Sequence, residues 1–163
     1  MARKLISLDD LTPNCLGVLK TINSVVLPTS YTAEWYQESL EAGELVKLAY
    51  YSEIPVGAIK AKQVYSSNTS KPSTVPTGVY IESFAVLPAY QQKGVGSALL
   101  ENLEAETAKR FIHELIAHVW CENTAGVAWY ESKGFIKKDE VEKGYYEAQG
   151  LKNPDAYVMV KKI

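Results

Sequence analysis

Residues 79–99 read VYIESFAVLPAYQQKGVGSAL, and the order of events within them decides what the rest of the chain can be. Residues 79–87 combine β-branched, aromatic and apolar side chains without a helical stripe, which predicts a strand. Pro88 ends it. A short loop with Gly94 and Gly96 then runs directly into a helix predicted over 96–111, where Leu99, Leu100, Leu103, Ala108 and Phe111 mark one face. A strand, a glycine-bearing loop and a helix start in succession make an anion cradle. The first N–H groups of the helix have no partner within it, and its dipole favours negative charge there. Glycines let the backbone approach a phosphate closely.

Several nucleotide folds use such loops. A dinucleotide fingerprint needs a third glycine where this chain has Leu99, although Glu114 lies at the distance from Gly94 expected of its ribose-binding acid. A phosphate loop of the NTPase kind needs Gly-Lys followed by Ser or Thr, which is absent. A tight strand–helix turn that uses glycine for geometry alone stays open beside these.

Outward from this stretch, the pattern repeats in both directions. Upstream, residues 4–7 suggest a first strand, and Thr12-Pro13 opens a helix as cap and first residue. Leu16, Leu19, Ile22, Val25 and Val26 share its apolar face, and Pro28 stops it. A second helix is predicted from the cap Thr32 to near Gly43. Residues 45–51 and 56–64 read as strands joined by a turn at 52–55. The Ser-, Thr- and Pro-rich stretch 65–78 reads as a mobile loop within one domain spanning 1–163. Downstream come a strand at 115–120, a helix at 124–133 closed by Gly134, and strands at 135–138 and 156–162. The charged residues Asp139, Glu140 and Glu142 read as a solvated turn. One strand–helix–strand crossover inside a meander predicts an α/β fold with a mixed sheet of about seven strands and four helices.

Composition narrows the function. The 163 residues carry 17 Lys+Arg against 19 Asp+Glu, a net charge of −2, which argues against a dedicated nucleic-acid binder. No apolar run approaches the roughly 18 residues of a membrane span. Residues 1–12 are too short and too acidic at their end for a signal peptide. Cys15 and Cys121 have no metal-ligand spacing and form no disulfide framework, and with His113 and His118 the only histidines no metal site is expected. A reducing intracellular compartment follows as an expectation. Eleven of the aromatic residues are Tyr, against three Phe and three Trp. Tyr gathers at wet pockets and interfaces because its apolar ring carries a hydroxyl that needs a partner.

Gln91-Gln92-Lys93-Gly94-Val95-Gly96 resembles the Gln/Arg-x-x-Gly-x-Gly/Ala pyrophosphate loop of the GCN5-related N-acetyltransferases, the GNAT family. The match continues through Asn123, Ala128-Trp129-Tyr130 and Lys133-Gly134-Phe135. Leu27-Pro28-Thr29-Ser30-Tyr31, Gly43-Glu44-Leu45, residues 48–51, Val79-Tyr80-Ile81, His118-Val119 and Tyr145-Tyr146 further resemble the NatE branch, protein N-terminal acetyltransferases that prefer an initiator Met followed by an apolar residue. The resemblance covers essentially the whole chain. It implies a GNAT fold and acetyl-CoA as cosubstrate, held by Phe84, Ala85, Val86, Gln91, Gln92, Lys93, Gly94, Val95, Gly96, Ser97, Asn123 and Tyr130. It places Tyr80 and His118 at catalytic positions, and Leu27, Pro28, Thr29, Tyr31, Glu82, Tyr145 and Tyr146 around the acceptor peptide. Implied partners are protein or nascent-chain N-termini, the NatA scaffold and catalytic subunits, and the ribosome through them. Neither nucleic acid nor membrane is an expected direct partner, and the cytoplasm, with the nucleus as an addition, is the expected location. A catalytically weak subunit of the same assembly is the alternative.

Without the resemblance the same residues have plainer readings. His118 would be a core or edge histidine, Tyr80 a packing residue, and Cys121 an inert thiol. Three departures from the family pattern stand out: Leu-Pro-Thr at 27–29 where Phe-Pro-Val is usual, Glu82 where a relative has Met, and Gln91-Gln92 where Arg-Arg is usual. The last removes two charges from the phosphates and predicts weaker coenzyme affinity.

Overall fold

In the computed structural model, residues 5–26, 31–41, 43–65, 76–142 and 155–163 are described. Among the described residues seven strands and four helices follow in the expected order. They are β1 (Ile6–Asp10), α1 (Leu16–Val26), α2 (Ala33–Ser39), β2 (Val46–Tyr51), β3 (Ile54–Tyr65), β4 (Pro76–Val86), α3 (Val95–Lys109), β5 (Glu114–Trp120), α4 (Thr124–Ser132), β6 (Ile136–Glu142) and β7 (Ala156–Lys162). The strands hydrogen-bond in the order β1-β2-β3-β4-β5-β7-β6. β4 and β5 run parallel, across the α3 crossover, while the pairs β1–β2, β2–β3, β5–β7 and β6–β7 are antiparallel. This is the mixed sheet that the order of elements predicts.

The boundaries differ from expectation for physical reasons. β1 starts two residues later than predicted and runs into Asp9 and Asp10, because it pairs with β2 and Asp10 meets Lys47 there as an ion pair. Pro13–Cys15 form a 3-10 turn rather than the first turn of α1, with Thr12 N–H donating to Cys15 Sγ at 3.1 Å. α2 ends at Ser39, short of Gly43, which has a φ of +61° and begins a second 3-10 turn, Gly43–Leu45. The β2–β3 turn needs only Ser52 and Glu53, since Ser52 adopts a φ of +57°. β3 and β4 reach Tyr65 and Pro76, so residues 65 and 76–78 of the predicted 65–78 loop are strand, and residues 66–75 lie outside the described residues. Pro76 sits at a strand's first position, where its missing N–H costs least. Residues 139–142 belong to β6 and not to a turn. A register irregularity between Lys137 and Val141 absorbs the extra residues before Val141 and Glu142 rejoin β7.

Two compact units are built along the chain. The first comprises residues 1–62 and 82–109 and carries α1, α2 and α3. Leu19, Tyr36, Leu48 and Ala58 form its buried cluster, with Leu16, Tyr31, Trp35 and Tyr50 packed against it. α3 buries Val95, Leu99, Leu100, Leu103 and Thr107, one stripe at helical spacing. Thr107 returns its hydroxyl to the Leu103 carbonyl at 2.7 Å, so the one polar member of the stripe is satisfied. The second unit comprises residues 63–81 and 110–163, with α4 and the β5–β7–β6 ladder. Val79, Ile81, Leu115, Ala117, Val119, Phe135, Ala156 and Met159 are buried in it.

Candidate active site

In the second unit, Val79, Tyr80 and Ile81 pair with Leu115, Ile116 and Ala117. Side chains alternate along a strand, so His118 lies on the same face of β5 as Ile116, the partner of Tyr80. Both strands show that alternation in burial: Tyr80 and His118 are half-buried between buried neighbours. The register brings the Tyr80 hydroxyl and His118 Nδ1 to 2.9 Å, with the rings edge to face at 5.3 Å and 69°. A neutral imidazole protonated at Nε2 accepts the phenol O–H at Nδ1, and the phenol oxygen can itself accept a proton. The two side chains thus form one hydrogen-bonded pair. Cys121, the residue that follows β5, is a free thiol. Burial raises its pKa above the ordinary thiol value, Asp155 and Glu122 add to this, and Lys137 opposes it. The thiolate a nucleophile requires is disfavoured there.

The other predicted residues of this unit sit at the two ends of α4. Asn123 caps the helix, its Oδ1 accepting from Gly126 N–H at 3.0 Å. A Cβ on Gly126 would lie 2.4 Å from Asn123 Nδ2, so the cap requires glycine there. At the other end Gly134 takes a φ of +95°, Phe135 N–H bonds to the Tyr130 carbonyl at 3.0 Å and Gly134 N–H to that of Glu131 at 3.1 Å. This is a Schellman closure. It folds Phe135 onto Tyr130, with ring centroids 5.0 Å apart, and so accounts for the Tyr130…Lys133-Gly134-Phe135 spacing.

In the first unit the loop after β4 has the predicted cradle geometry. Leu87 N–H bonds to the Val56 carbonyl at 2.8 Å, and a 3-10 turn spans Pro88–Tyr90. Gln92 and Gly94 take positive φ, +64° and +89°, before α3 begins at Val95. The first turn of α3 has no acidic residue and its last turn holds Lys109, so nothing on the helix neutralises its positive end. Gly57 lets this end approach β3: a Cβ there would meet the Ala85 oxygen at 3.1 Å and Val95 Cγ1 at 3.2 Å. Gln91 is tied back, its Nε2 donating to the Val86 carbonyl at 3.0 Å. Its side chain shapes the loop, and the loop's backbone N–H groups are what it offers an anion. Lys93 holds its ammonium 5.8 Å over the Tyr51 ring. A diphosphate fits this set of donors.

Tyr31 and Glu82 also meet. Tyr31 O–H donates to the Glu82 carbonyl at 3.0 Å and its ring stacks on Trp35 at 4.0 Å. The Glu82 carboxylate is not an open anion: Lys60 Nζ lies 2.9 Å from Oε2 and Lys62 Nζ 3.4 Å from Oε1. The Lys60 contact is a close ion pair rather than an aligned hydrogen bond. Phe84 and Val86 continue the half-buried face of β4 that holds Tyr80 and Glu82, while Ala85 is buried on the opposite one. Leu27, Pro28, Thr29, Tyr145 and Tyr146 lie outside the described residues. Lys60, Trp35 and Gly57 were not singled out from sequence. The available signal was Lys60 itself, a lysine inside the apolar run Ala58-Ile59-Lys60-Ala61. Among the described residues no cluster of His, Cys, Asp or Glu could hold a metal ion, and no helix is long and apolar enough to cross a membrane.

The profile of the Acetyltransferase (GNAT) family matches residues 15–135. The chain belongs to that family. It is therefore an acetyltransferase, with acetyl-CoA as its acetyl donor. Its relatives include the probable N-acetyltransferase san of Drosophila melanogaster, 34% identical over 100% of this chain and 84% of the relative. N-alpha-acetyltransferase 50 of Danio rerio is 32% identical over 97% of this chain and 89% of its own length. Among solved structures, Arabidopsis thaliana Naa50 in complex with the bisubstrate analogue CoA-Ac-MVNAL superposes with a TM-score of 0.84 at 31% identity, covering 98% of this chain and 100% of that one.

Proposed function

We propose that the chain acetylates the free α-amine of protein N-termini, with a preference for Met followed by an apolar residue. The observation that carries the chemistry is the 2.9 Å contact between the Tyr80 hydroxyl and His118 Nδ1, which sets a phenol and an imidazole side by side on neighbouring strands. The acceptor class is supported by the likeness to N-alpha-acetyltransferase 50 and to the Naa50 complex, whose analogue joins CoA to the peptide MVNAL.

Acetyl-CoA supplies an activated acyl group as a thioester. The chain's part is to hold the donor, to provide a neutral amine and to polarise the carbonyl. An α-amine has a pKa of roughly 8, so a modest base suffices to keep it neutral. His118 takes that proton, directly or through water, with Tyr80 as relay or water-orienting hydroxyl. The loop 91–96 and the first turn of α3 would hold the diphosphate through backbone N–H groups, with Ser97 within that turn. Polarisation of the acyl oxygen is assigned in this reading to a backbone N–H of the stretch Phe84–Val86. Asn123, with its oxygen engaged in the α4 cap, would offer its NH2 group, and Tyr130 lies near the other end of the same helix. The amine attacks the thioester carbonyl directly in a ternary complex: the C–N bond forms, the C–S bond breaks, and the coenzyme leaves as its thiolate and takes up a proton to become the free thiol. The elevated Cys121 pKa supports the absence of a protein thiol relay.

Association with the NatA scaffold and catalytic subunits and, through them, the ribosome belongs to the same reading, as does a cytoplasmic and nuclear location; co-purification and fractionation test these. The function itself is tested by mass spectrometry of Met-Leu peptides, peptides with only internal lysines, and polyamines after incubation with acetyl-CoA. Acetylation confined to the α-amine is expected. Turnover of the lysine or polyamine substrates alone overturns the reading, and absence of acetyl-CoA binding in calorimetry overturns the enzyme.

A further inference from the structure

Four residues of the first unit close a ring of contacts. Tyr31 stacks on Trp35, Trp35 receives Lys60, Lys60 pairs with Glu82, and the Glu82 carbonyl accepts from Tyr31. Lys60 is the hub. Its side chain is 5% exposed, with Nζ 2.9 Å from Glu82 Oε2, 3.5 Å from the Trp35 carbonyl oxygen and 3.9 Å from the centre of the Trp35 ring. One ammonium thus meets a carboxylate, a carbonyl and a π face drawn from β4 and α2, while its own stem rises from β3.

Stability does not explain this arrangement. Burying a lysine and a glutamate is costly, and a well-packed apolar pair of similar volume is commonly as stable or more so. Position explains it better. α2 has only seven residues, too few to hold its shape or place without tertiary anchors. Its cap, Thr32 Oγ1 accepting from Trp35 N–H at 3.1 Å, fixes the start of the helix but not where the helix lies. Tyr31 immediately precedes that cap, so its hydroxyl can be no better placed than α2 is. Lys60 ties α2, through Trp35, to Glu82, whose carbonyl receives Tyr31.

We propose that Lys60 is a positioning residue of the acceptor-peptide site, setting Tyr31 against β4 through its ion pair with Glu82 and its contacts with Trp35. The proposal rests on the N-terminal acetyltransferase reading, which makes Tyr31 and Glu82 part of that site. It belongs to this chain's own sequence, since the charge at position 82 is one of its departures from the family pattern.

The test is steady-state kinetics with a Met-Leu peptide and acetyl-CoA on the full chain, comparing the wild type with Lys60→Met and with the double variant Lys60→Met/Glu82→Met. Lys60→Met is expected to raise the peptide KM at least tenfold, with kcat and the acetyl-CoA KM within about twofold. That variant leaves the largely buried Glu82 carboxylate with only the exposed Lys62, 3.4 Å from Oε1, and can fail to fold, so the double variant, which buries no such carboxylate, decides the matter in that event. It is expected to melt at or above the wild-type temperature and still to show the raised peptide KM. Calorimetric titration of the peptide in the presence of CoA should give the same ratio. A folded double variant with a peptide KM and Kd within twofold of wild type overturns the proposal. If the wild type itself acetylates no N-terminal peptide, the functional reading has failed instead, and the two failures cannot be confused.

Discussion

Replacing Gly94 by Ala separates the backbone conformation of the phosphate loop from its packing. A Cβ on Gly94 would find Ile6 Cδ1 at 3.6 Å as its nearest neighbour, an ordinary contact, so the substitution meets no steric obstacle. The obstacle is the φ of +89°, which an L-residue reaches at a cost of about 1–2 kcal/mol. If the loop relaxes to a conformation alanine prefers, its N–H groups leave their common focus and that energy is lost from acetyl-CoA binding, about a 5- to 30-fold rise in Kd. If the loop holds, the same energy is lost from folding, about 2–8 °C in melting temperature for a chain of this length. Calorimetry with acetyl-CoA and a thermal melt on the same sample read both. Gly17→Ala is the control, since Gly17 has open space and ordinary φ in α1, and it should stabilise the fold by about 0.5 kcal/mol without moving Kd. A Gly94→Ala protein with Kd within twofold and an unchanged melt would refute the claim that the positive φ is required.

Three further outcomes follow from other parts of the structure. His118→Ala should lower kcat by about 10²–10⁴-fold and Tyr80→Phe by less, both with acetyl-CoA affinity unchanged; wild-type rates in stopped-flow or steady-state assays would remove them from the mechanism. Cys121→Ser should retain turnover, and iodoacetamide should modify Cys121 more slowly than a free cysteine at pH 8, because burial and nearby carboxylates hold the thiol protonated. Loss of transfer in the serine variant would reinstate an acyl-thiol route. Burial lowers the Lys47 pKa, but its hydrogen bonds and charge contacts with Asp10 and Glu44 outweigh this and leave it raised above 10.5. Its contribution to stability is therefore fully present below that value and lost as pH rises through the higher folded pKa. The difference in urea midpoint between wild type and Lys47→Met should be largest near pH 8 and shrink above pH 10.5; a difference independent of pH would contradict the assigned pairs.

The order of elements was legible because each has its own local signal: Pro88 after an apolar run, Thr32 as a cap, Gly134 after a helix. The ends were less so, because partners in space set them. Asp9 and Asp10 look like loop residues until β2 and Lys47 are placed beside them, and residues 139–142 look like a turn until β7 is. At the site, the glycine loop could be read from spacing, whereas the pairing of Tyr80 with His118 came only by resemblance. No periodicity relates two residues on different strands. The ring around Lys60 was invisible for the same reason, compounded by the habit of reading lysine as a surface residue. Gln91 shows the opposite limit: its type was noted as a lost charge, while its actual task, bonding to Val86, depends on a turn geometry that residue type alone does not disclose.

That bond from Gln91 to the Val86 carbonyl has a consequence for how the protein behaves in salt. A loop that grips phosphate with arginine side chains relies on long, mobile, exposed charges, which lose strength within a Debye length of about 8 Å at physiological ionic strength. Here one of those positions is spent bracing the loop, and the nearby ammonium of Lys93 leans toward Tyr51. On the proposed reading the grip passes to backbone dipoles fixed in direction by Gln92, Gly94 and the start of α3. Such a loop is expected to capture the coenzyme with little dependence on ionic strength, and acetyl-CoA titrations at low and high salt check this.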